Sequence, residues 1–182
     1  MGSTHIALLL PTNRGLKPKT LQSLLELVAH TPVQTVLVSS EGFTTAENRT
    51  WLAAQAIKRG ATHLFFVDDD MVYERDTLEK LLKQDKDIVG AKYANRRGTG
   101  EVVEYLEDGK ENEVKALGGG CVLIKAEVFK KVHQPWFWYK IAPSGAVTMS
   151  HDWFFCEKAR EAGYKIYLDT TIKPGHIGKQ EF

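Results

Sequence analysis

The sequence predicts an α/β fold with a mostly parallel central sheet, helices on both faces and a small antiparallel hairpin in its second half. Two observations lead to this prediction. Four short segments are apolar or β-branched, as strands buried on both faces are: residues 5–10, 35–38, 62–67 and 88–92. Segments with helical features separate them, and a strand that returns through a helix lies parallel to the first.

The helices are predicted from periodicity and from capping residues. Leucine and valine recur at helical spacing in residues 21–28. Thr44 with Glu47, and Asp76 with Glu79, have the form of capping boxes, in which each side chain bonds a backbone N–H of the other residue. Each pair is therefore expected to open a helix.

The second half of the chain has a different pattern. Residues 101–106 and 113–117 flank a turn sequence, Asp108-Gly109, and predict the hairpin. A glycine triplet leads into a further strand, Ser150 begins a helix, and residues 165–168 form a last strand. Because no linker separates the halves, residues 1–182 are expected to form a single domain.

The charge balance excludes one class of partner. The 182 residues carry 24 basic and 23 acidic side chains, a formal charge of +1. Proteins that hold nucleic acid need a basic surface field, so no nucleic-acid partner is expected. A nucleotide would instead be a small ligand held by a few groups.

Cysteine usage and hydropathy bear on the location of the protein. Cys121 and Cys156 lie in separate apolar segments, without the spacing of zinc ligands or of a disulfide framework. Reduced thiols fit a cytoplasmic protein. A transmembrane helix needs about 20 apolar residues, and no apolar stretch approaches that length, so no integral membrane segment is expected.

Three consecutive aspartates follow the third predicted strand in the sequence F-F-V-D-D-D-M, residues 65–71. Ligands of parallel sheets bind outside the carboxyl ends of the strands, where these acids belong. A calcium-binding EF-hand is excluded because Val72 and Tyr73 occupy the positions of a ligand and a glycine. Two readings remain open: Asp68 and Asp70 share a divalent cation with a diphosphate, or the acids form a solvated turn that caps the next helix.

Several stretches of the chain together resemble a known family. The segments E-N-R-T-W-L-A, the aspartate segment, L-G-G-G-C-V-L-I-K and H-D-W-F-F-C occur in this order, and a histidine follows in G-H-I-G. The chain resembles family 2-type glycosyltransferases with a GT-A fold over most of its length. The resemblance implies a nucleotide-sugar donor half in residues 1–95 and an acceptor half in residues 96–182.

The resemblance implies a metal site for Mn²⁺ or Mg²⁺. Asp70 matches the metal-binding aspartate of the family, and His176 matches a histidine that completes the site in many members. Asp68 matches a residue that contacts the donor ribose or the metal, and Asp69 could share either role. The alternative for His176 is an ordinary loop histidine between turn glycines.

Further residues are matched to the donor. The resemblance places Pro11, Thr12 and Arg14 against the nucleotide and Arg49 facing it, although both arginines could be solvated surface residues. The glycines of the triplet, Gly119 and Gly120 among them, would let the backbone approach the donor sugar. Their alternative role is a turn before the next strand.

Asp152 matches the catalytic base of the family. Transfer to a hydroxyl with inversion needs a carboxylate to take the acceptor proton. An aspartate in the first turn of a helix is also favoured by the helix dipole alone, so this alternative stays open. The chain departs from the family pattern at His151, where glutamate is usual.

An aromatic stretch, residues 136–139, predicts an acceptor platform. Exposed aromatic patches commonly mark binding sites, and sugar rings stack on indoles, so Trp136, Trp138 and Tyr139 are acceptor candidates. The alternative is a loop that packs onto the core.

The sequence thus predicts a metal-dependent, inverting glycosyltransferase that uses a UDP- or GDP-linked sugar and a hydroxyl acceptor. A sugar-phosphate nucleotidyltransferase and a non-catalytic nucleotide-sugar-binding module are the alternatives. A homo-oligomer could complete so short a version of the fold.

Overall fold

The computed structural model describes residues 3–13, 15–95, 100–106 and 112–177, so Arg14 and the Asp108-Gly109 turn lie outside the described residues. The strands are β1 (His5–Pro11), β2 (Gln34–Ser40), β3 (His63–Val67), β4 (Met71–Val72), β5 (Ile88–Gly90), β6 (Val103–Tyr105), β7 (Glu113–Leu117), β8 (Cys121–Lys125), β9 (Lys140–Ile141), β10 (Val147–Met149), β11 (Ile166–Leu168) and β12 (Gly175–His176). The helices are α1 (Pro18–His30), α2 (Thr45–Lys58), α3 (Thr77–Lys83), α4 (Val128–Lys131) and α5 (His151–Glu161).

The predicted α/β fold is confirmed. The described strands form one large mixed sheet in the order β2-β1-β3-β8-β5-β11-β7-β6. Strand β1 is parallel to both β2 and β3, and β5 is parallel to β11. Strand β8 lies between β3 and β5 and runs antiparallel to both, while β6 and β7 form the predicted antiparallel pair.

Helices cover both faces of the sheet. Successive strand residues point to opposite faces, so Ala7 and Leu9 pack on one side and Leu8 on the other. The first side carries buried residues of α2 and α5, including Leu52 and Phe155. The second side carries those of α1 and α3. This two-sided core fixes the carboxyl ends of β1 and β3 at one edge.

One predicted capping box is confirmed and the other is wrong. The Thr44 backbone N–H donates to Glu47 Oε2 at 3.0 Å, and the Glu47 N–H donates to Thr44 Oγ1 at 3.3 Å. At the start of α3, Asp76 makes no side-chain cap. Its carboxylate pairs with Lys80 at 3.1 Å instead, and lysine one turn along the helix competes with the backbone for the same oxygens.

Strand β2 is another departure from the prediction, which had it buried on both faces. It is the end strand of the sheet, and Val36 and Leu37 are about half exposed. The apolar composition of β2 predicted a strand correctly. Its burial depends on its position in the sheet, which the seven residues of the strand do not determine.

The last described segment returns to the aspartates. Strand β12 pairs antiparallel with β4, which places His176 opposite Met71. The Ile177 N–H donates to the Asp70 carbonyl oxygen at 2.8 Å. A residue more than 100 positions away is thereby fixed beside Asp70. Within the described ranges, none of the helices has the length and apolar composition to cross a membrane.

Candidate active site

A cleft of about 380 Å³ lies at the carboxyl ends of β1 and β3. Helix α2 forms one wall through its first turns, and the start of α5 forms the opposite wall. The cleft is lined by Pro11, Asn13, Thr45, Arg49, Asp68, Asp69, His151 and Asp152. Five of the predicted site residues therefore share one cleft.

Buried Arg49 and partly buried Asp68 form an ion pair at its floor. Arg49 is 2% exposed, and its Nη2 donates to Asp68 Oδ1 at 2.6 Å. Burial works against the charge of Arg49, but Asp68, Asp152 and Tyr93 outweigh it and raise the arginine pKa. The pKa of Asp68 is also raised, mainly by burial, with Asp70 and Asp152 adding to it and Arg49 opposing. The prediction that Arg49 faces the cleft fits this placement, and the alternative of a solvated surface residue is wrong.

Two donors of Arg49, Nε and Nη1, are buried and have no hydrogen-bond partner among the described residues. Buried guanidinium donors are costly to leave unsatisfied. Arg49 also borders the cleft, and its positive charge favours an anionic ligand there.

Asp70 lies beside His176, as the metal prediction requires. Asp70 is 6% exposed, and its Oδ1 is 3.2 Å from His176 Nε2. His176 Nδ1 is 3.0 Å from the carbonyl oxygen of Ala94, which can only accept, so Nδ1 carries the proton. In the neutral ring Nε2 then presents a lone pair to a carboxylate oxygen. Asp70 Oδ1 and the unprotonated Nε2 are both hydrogen-bond acceptors, and two acceptors 3.2 Å apart need a proton or a cation between them.

Asp68 does not join this pair. Its Oδ1 bonds Arg49, and the described residues contain no group of three or more histidine, cysteine, aspartate or glutamate side chains placed to hold a metal. A cation shared by Asp68 and Asp70 therefore stays a prediction. Asp70 and His176 are the protein ligands that the geometry offers, which suits a cation that completes its shell with phosphate oxygens and water.

Asp152 is held at the start of α5 by hydrogen bonds. The Gly119 N–H donates to Oδ2 at 3.1 Å, the Trp153 N–H donates to Oδ1 at 3.0 Å, and the Ser150 hydroxyl donates to Oδ1. Burial by itself would raise the pKa of Asp152. His151 in its protonated form, Arg49 and the bonds from Ser150 and Gly119 outweigh burial and hold that pKa below its usual value. Asp152 is therefore ionised and fixed in orientation.

His151, the departure from the family pattern, is neutral in this environment. Burial and the charge of Arg49 lower the pKa of His151 to about 4, although Asp152 opposes them. The ring meets Tyr139 edge-on, with centroids 5.3 Å apart. The imidazole therefore adds no negative charge beside Asp152.

The two glycines are required by close packing. A Cβ on Gly119 would lie 1.2 Å from Arg49 Nη1, and one on Gly120 would lie 2.7 Å from Asp68 Oδ2. Any larger residue would displace the ion pair. Their turn before β8 is thus also part of the site, since Gly119 contacts both Arg49 and Asp152.

Two tyrosines of the site were missed by the sequence analysis. The Tyr73 hydroxyl donates to the Gly120 carbonyl at 2.7 Å and accepts from the Asp68 N–H at 3.1 Å. The Tyr93 hydroxyl accepts from the Gly120 N–H at 2.8 Å. Both lie in otherwise ordinary segments, and no local motif marks them, because their role arises from contacts between distant strands.

The first strand contributes less than expected. Pro11 lines the cleft, whereas Thr12 is held by a bond from its N–H to the Ser40 carbonyl at 2.9 Å. Thr12 Oγ1 is buried and has no partner among the described residues. The prediction for Arg14 lies outside the described residues.

The aromatic stretch divides between core and surface. Trp136 is 8% exposed, its Nε1 donates to the Val132 carbonyl at 2.7 Å, and its ring packs on Phe129. The prediction that Trp136 binds the acceptor is therefore corrected: it is a core residue. Trp138 is 48% exposed, and Tyr139 contacts His151 at the cleft wall, so a role for these two in acceptor binding stays a prediction.

Comparison with protein-family models gives no match, and comparison with curated protein sequences gives none either. Solved structures do match. A197 from STIV is similar over 95% of this chain and 85% of its own, with a TM-score of 0.67 and 18% identity. GalNAc-T7 with UDP, GalNAc and Mn²⁺ is similar over 98% of this chain and 44% of its own, with a TM-score of 0.68 and 11% identity. The chain has a GT-A-type, glycosyltransferase-like fold.

Proposed function

We propose that the chain is a metal-dependent glycosyltransferase that moves a sugar from a nucleotide-sugar donor to a hydroxyl acceptor with inversion. The observation that carries the proposal is the cleft itself. It brings Asp68 and Asp69, from the end of β3, opposite Asp152 on α5, at the edge of a sheet where ligands bind. The solved structure of GalNAc-T7, which has UDP and Mn²⁺, supports the same chemistry for this fold.

Asp152 is proposed as the general base. It takes the proton of the acceptor hydroxyl as that oxygen bonds to C1 of the donor sugar. The C1–O bond to the nucleoside diphosphate breaks, and the diphosphate leaves with the electron pair. The Gly119 N–H and the Ser150 hydroxyl orient the carboxylate throughout.

Asp70 and His176 are the residues proposed to hold Mn²⁺ or Mg²⁺. A divalent cation there would neutralise charge that develops on the leaving diphosphate. Asp70 Oδ1 and His176 Nε2 lie 3.2 Å apart, and this closeness supports a shared cation as one of the two species, a proton or a divalent ion, that the pair can hold. Asp68 is proposed to contact the donor ribose, with Arg49 holding its carboxylate in place.

The donor is tested first by calorimetric titration of UDP and of GDP, each with Mn²⁺ and with EDTA. We expect one nucleotide to bind in Mn²⁺ and to lose that binding in EDTA and in Asp70→Ala. Glu74→Ala is the matched control, because this carboxylate is exposed and pairs only with Lys80 in the described contacts. Equal binding with and without Mn²⁺ would contradict the metal role.

The products separate the proposal from its alternatives. A transferase releases a nucleoside diphosphate from a nucleotide sugar, whereas a nucleotidyltransferase releases pyrophosphate when it forms one. A binding module gives neither product while still binding the nucleotide. Release of pyrophosphate, or binding with no turnover on any sugar donor, would overturn the proposal.

A further inference from the structure

Strand β2 ends the large sheet, and its outer edge is not paired with any described strand. Sheet edges of this kind invite pairing with another chain, and proteins usually protect them with lysine, proline or a bulge. The seven residues Q-T-V-L-V-S-S contain no charged residue and no proline, and they pair with β1 without a break in register. The edge is therefore regular and unprotected.

The sequence of β2 is complementary to itself in the antiparallel direction. With Leu37 opposite Leu37 of a second copy, Val36 lies opposite Val38, and Thr35 lies opposite Ser39. Apolar residues then meet apolar residues, and hydroxyls meet hydroxyls. Cross-strand pairs of these kinds stabilise a sheet, whereas like charges directly opposite each other destabilise it.

The backbone directions agree with this register. The Ser40 carbonyl accepts from Thr12 N–H on the β1 side, so Ser40 and the alternate residues before it direct their backbone groups toward β1. Thr35, Leu37 and Ser39 direct theirs to the free edge. An antiparallel pair centred on Leu37 makes hydrogen-bonded pairs of Thr35 with Ser39 and of Leu37 with itself. Every outward N–H and C=O of the strand then has a partner.

The side chains around the edge also fit a second copy. Val36 and Val38 line a groove of about 340 Å³ between β2 and α2, together with Ala7 and Ala56. In the same register, Val38 of the second copy lies beside Val36 at this groove. Charge is compatible as well, because Glu41, just beyond the strand, falls opposite Val33 and not opposite another acid.

We propose that two copies of this chain associate through β2, pairing antiparallel about Leu37 so that their sheets form one continuous sheet. Such a two-fold contact presents the same surface on both partners. The cleft lies at the carboxyl ends of the strands, and the interface runs along the side of the sheet. The association is therefore independent of the function proposed for the cleft.

Sedimentation equilibrium of the full chain tests the association. We expect the wild type to have twice the chain mass of 20.5 kDa. Leu37→Lys and Leu37→Glu should each be monomeric, because each places like charges opposite each other, and an equimolar mixture should regain the dimer mass. Val147→Lys, which changes an exposed valine in β10, is the control and should remain dimeric.

Cross-linking tests the register without adding charge. Val36→Cys and Val38→Cys proteins, mixed under mild oxidation, should form a disulfide-linked dimer, since residues of a non-hydrogen-bonded pair lie within disulfide range. Val36→Cys alone should cross-link far more slowly. Cys121 and Cys156 are buried and should not contribute. A monomeric wild type, a dimer unaffected by Leu37→Lys, or equal cross-linking of Val36→Cys with itself would overturn the proposal.

Discussion

The two sides of the cleft are built differently. The donor wall, which we define as Arg49, Asp68, Gly119 and Gly120, is buried and closely packed, with an ion pair and two glycines that admit no Cβ. The acceptor rim, residues 138–149, includes the short β9–β10 pair and exposes Trp138, Ile141 and Val147. The closely packed donor wall suits a ligand that is bound in one fixed pose. The open acceptor rim suits a second ligand whose shape is less restricted.

The comparison predicts that changes at the donor wall affect folding as well as chemistry, and that changes at the rim affect only the second ligand. Asp152 lies between the two regions, since it bonds Gly119 and follows the rim in sequence.

Asp152→Asn should have the largest effect. Asparagine keeps the shape but cannot take a proton, so kcat should fall by about 10²- to 10⁴-fold, the usual contribution of a general base. Nucleotide binding in Mn²⁺ should change little, because Asp152 is proposed to act on the acceptor. Steady-state kinetics and calorimetry check the two parts. Full activity of Asp152→Asn would remove the base role, and loss of nucleotide binding would place Asp152 in the donor wall.

Arg49→Met should destabilise the fold by roughly 3 kcal/mol, because it leaves Asp68 in a largely buried site without its partner. Denaturant unfolding measures this loss. The double variant Arg49→Met/Asp68→Asn should recover part of it, since no unpaired charge remains. As a control, Gly100→Ala adds a methyl group where the nearest atom lies 3.8 Å away, and it should change stability by less than about 0.5 kcal/mol. Equal stability of Arg49→Met and wild type would show that the ion pair contributes little.

The ion pair of Arg49 with Asp68 marks the limit of what the sequence alone could predict. Alternating apolar segments predicted the α/β fold, and the strand-end position of the aspartates predicted where the cleft lies. Pairing of Arg49 with Asp68 was not predicted, because it depends on how α2 packs over β3. The same holds for Tyr73 and Tyr93, whose hydroxyls hold Gly120 across strands.

Local composition was ambiguous where burial decides the role. The stretch W-F-W-Y contains two residues of the core and two near the surface, and only the packing of Trp136 on Phe129 separates them. Strand β2 has the composition of a buried strand yet ends the sheet. Residue type alone predicts neither the burial of Trp136 nor the exposure of β2, because both depend on which elements pack against them.

Trp138→Ala should have a moderate effect confined to the acceptor. An exposed aromatic that stacks on a sugar contributes about 1 kcal/mol, so the acceptor KM should rise several-fold while the free energy of unfolding stays within about 0.5 kcal/mol of wild type. Trp136→Ala is the contrasting variant and should destabilise by roughly 3–5 kcal/mol because it empties a core position. If Trp138→Ala left kinetics unchanged for every acceptor tried, the rim would lose its proposed role.

Ser150→Ala should have the smallest effect, visible only in the pH profile. The reaction needs ionised Asp152, whose pKa lies below its usual value of about 3.9, so wild-type kcat should stay level from neutral pH to near pH 4 and fall only below it. The Ser150 hydroxyl bonds the ionised form, so its removal raises the Asp152 pKa and moves the acid limb to higher pH. Nucleotide binding measured at each pH separates this shift from protonation of Asp70 or His176. An acid limb that moves to lower pH, or that stays in place while binding is constant, would mean that Asp152 is not the group that limits the reaction in acid.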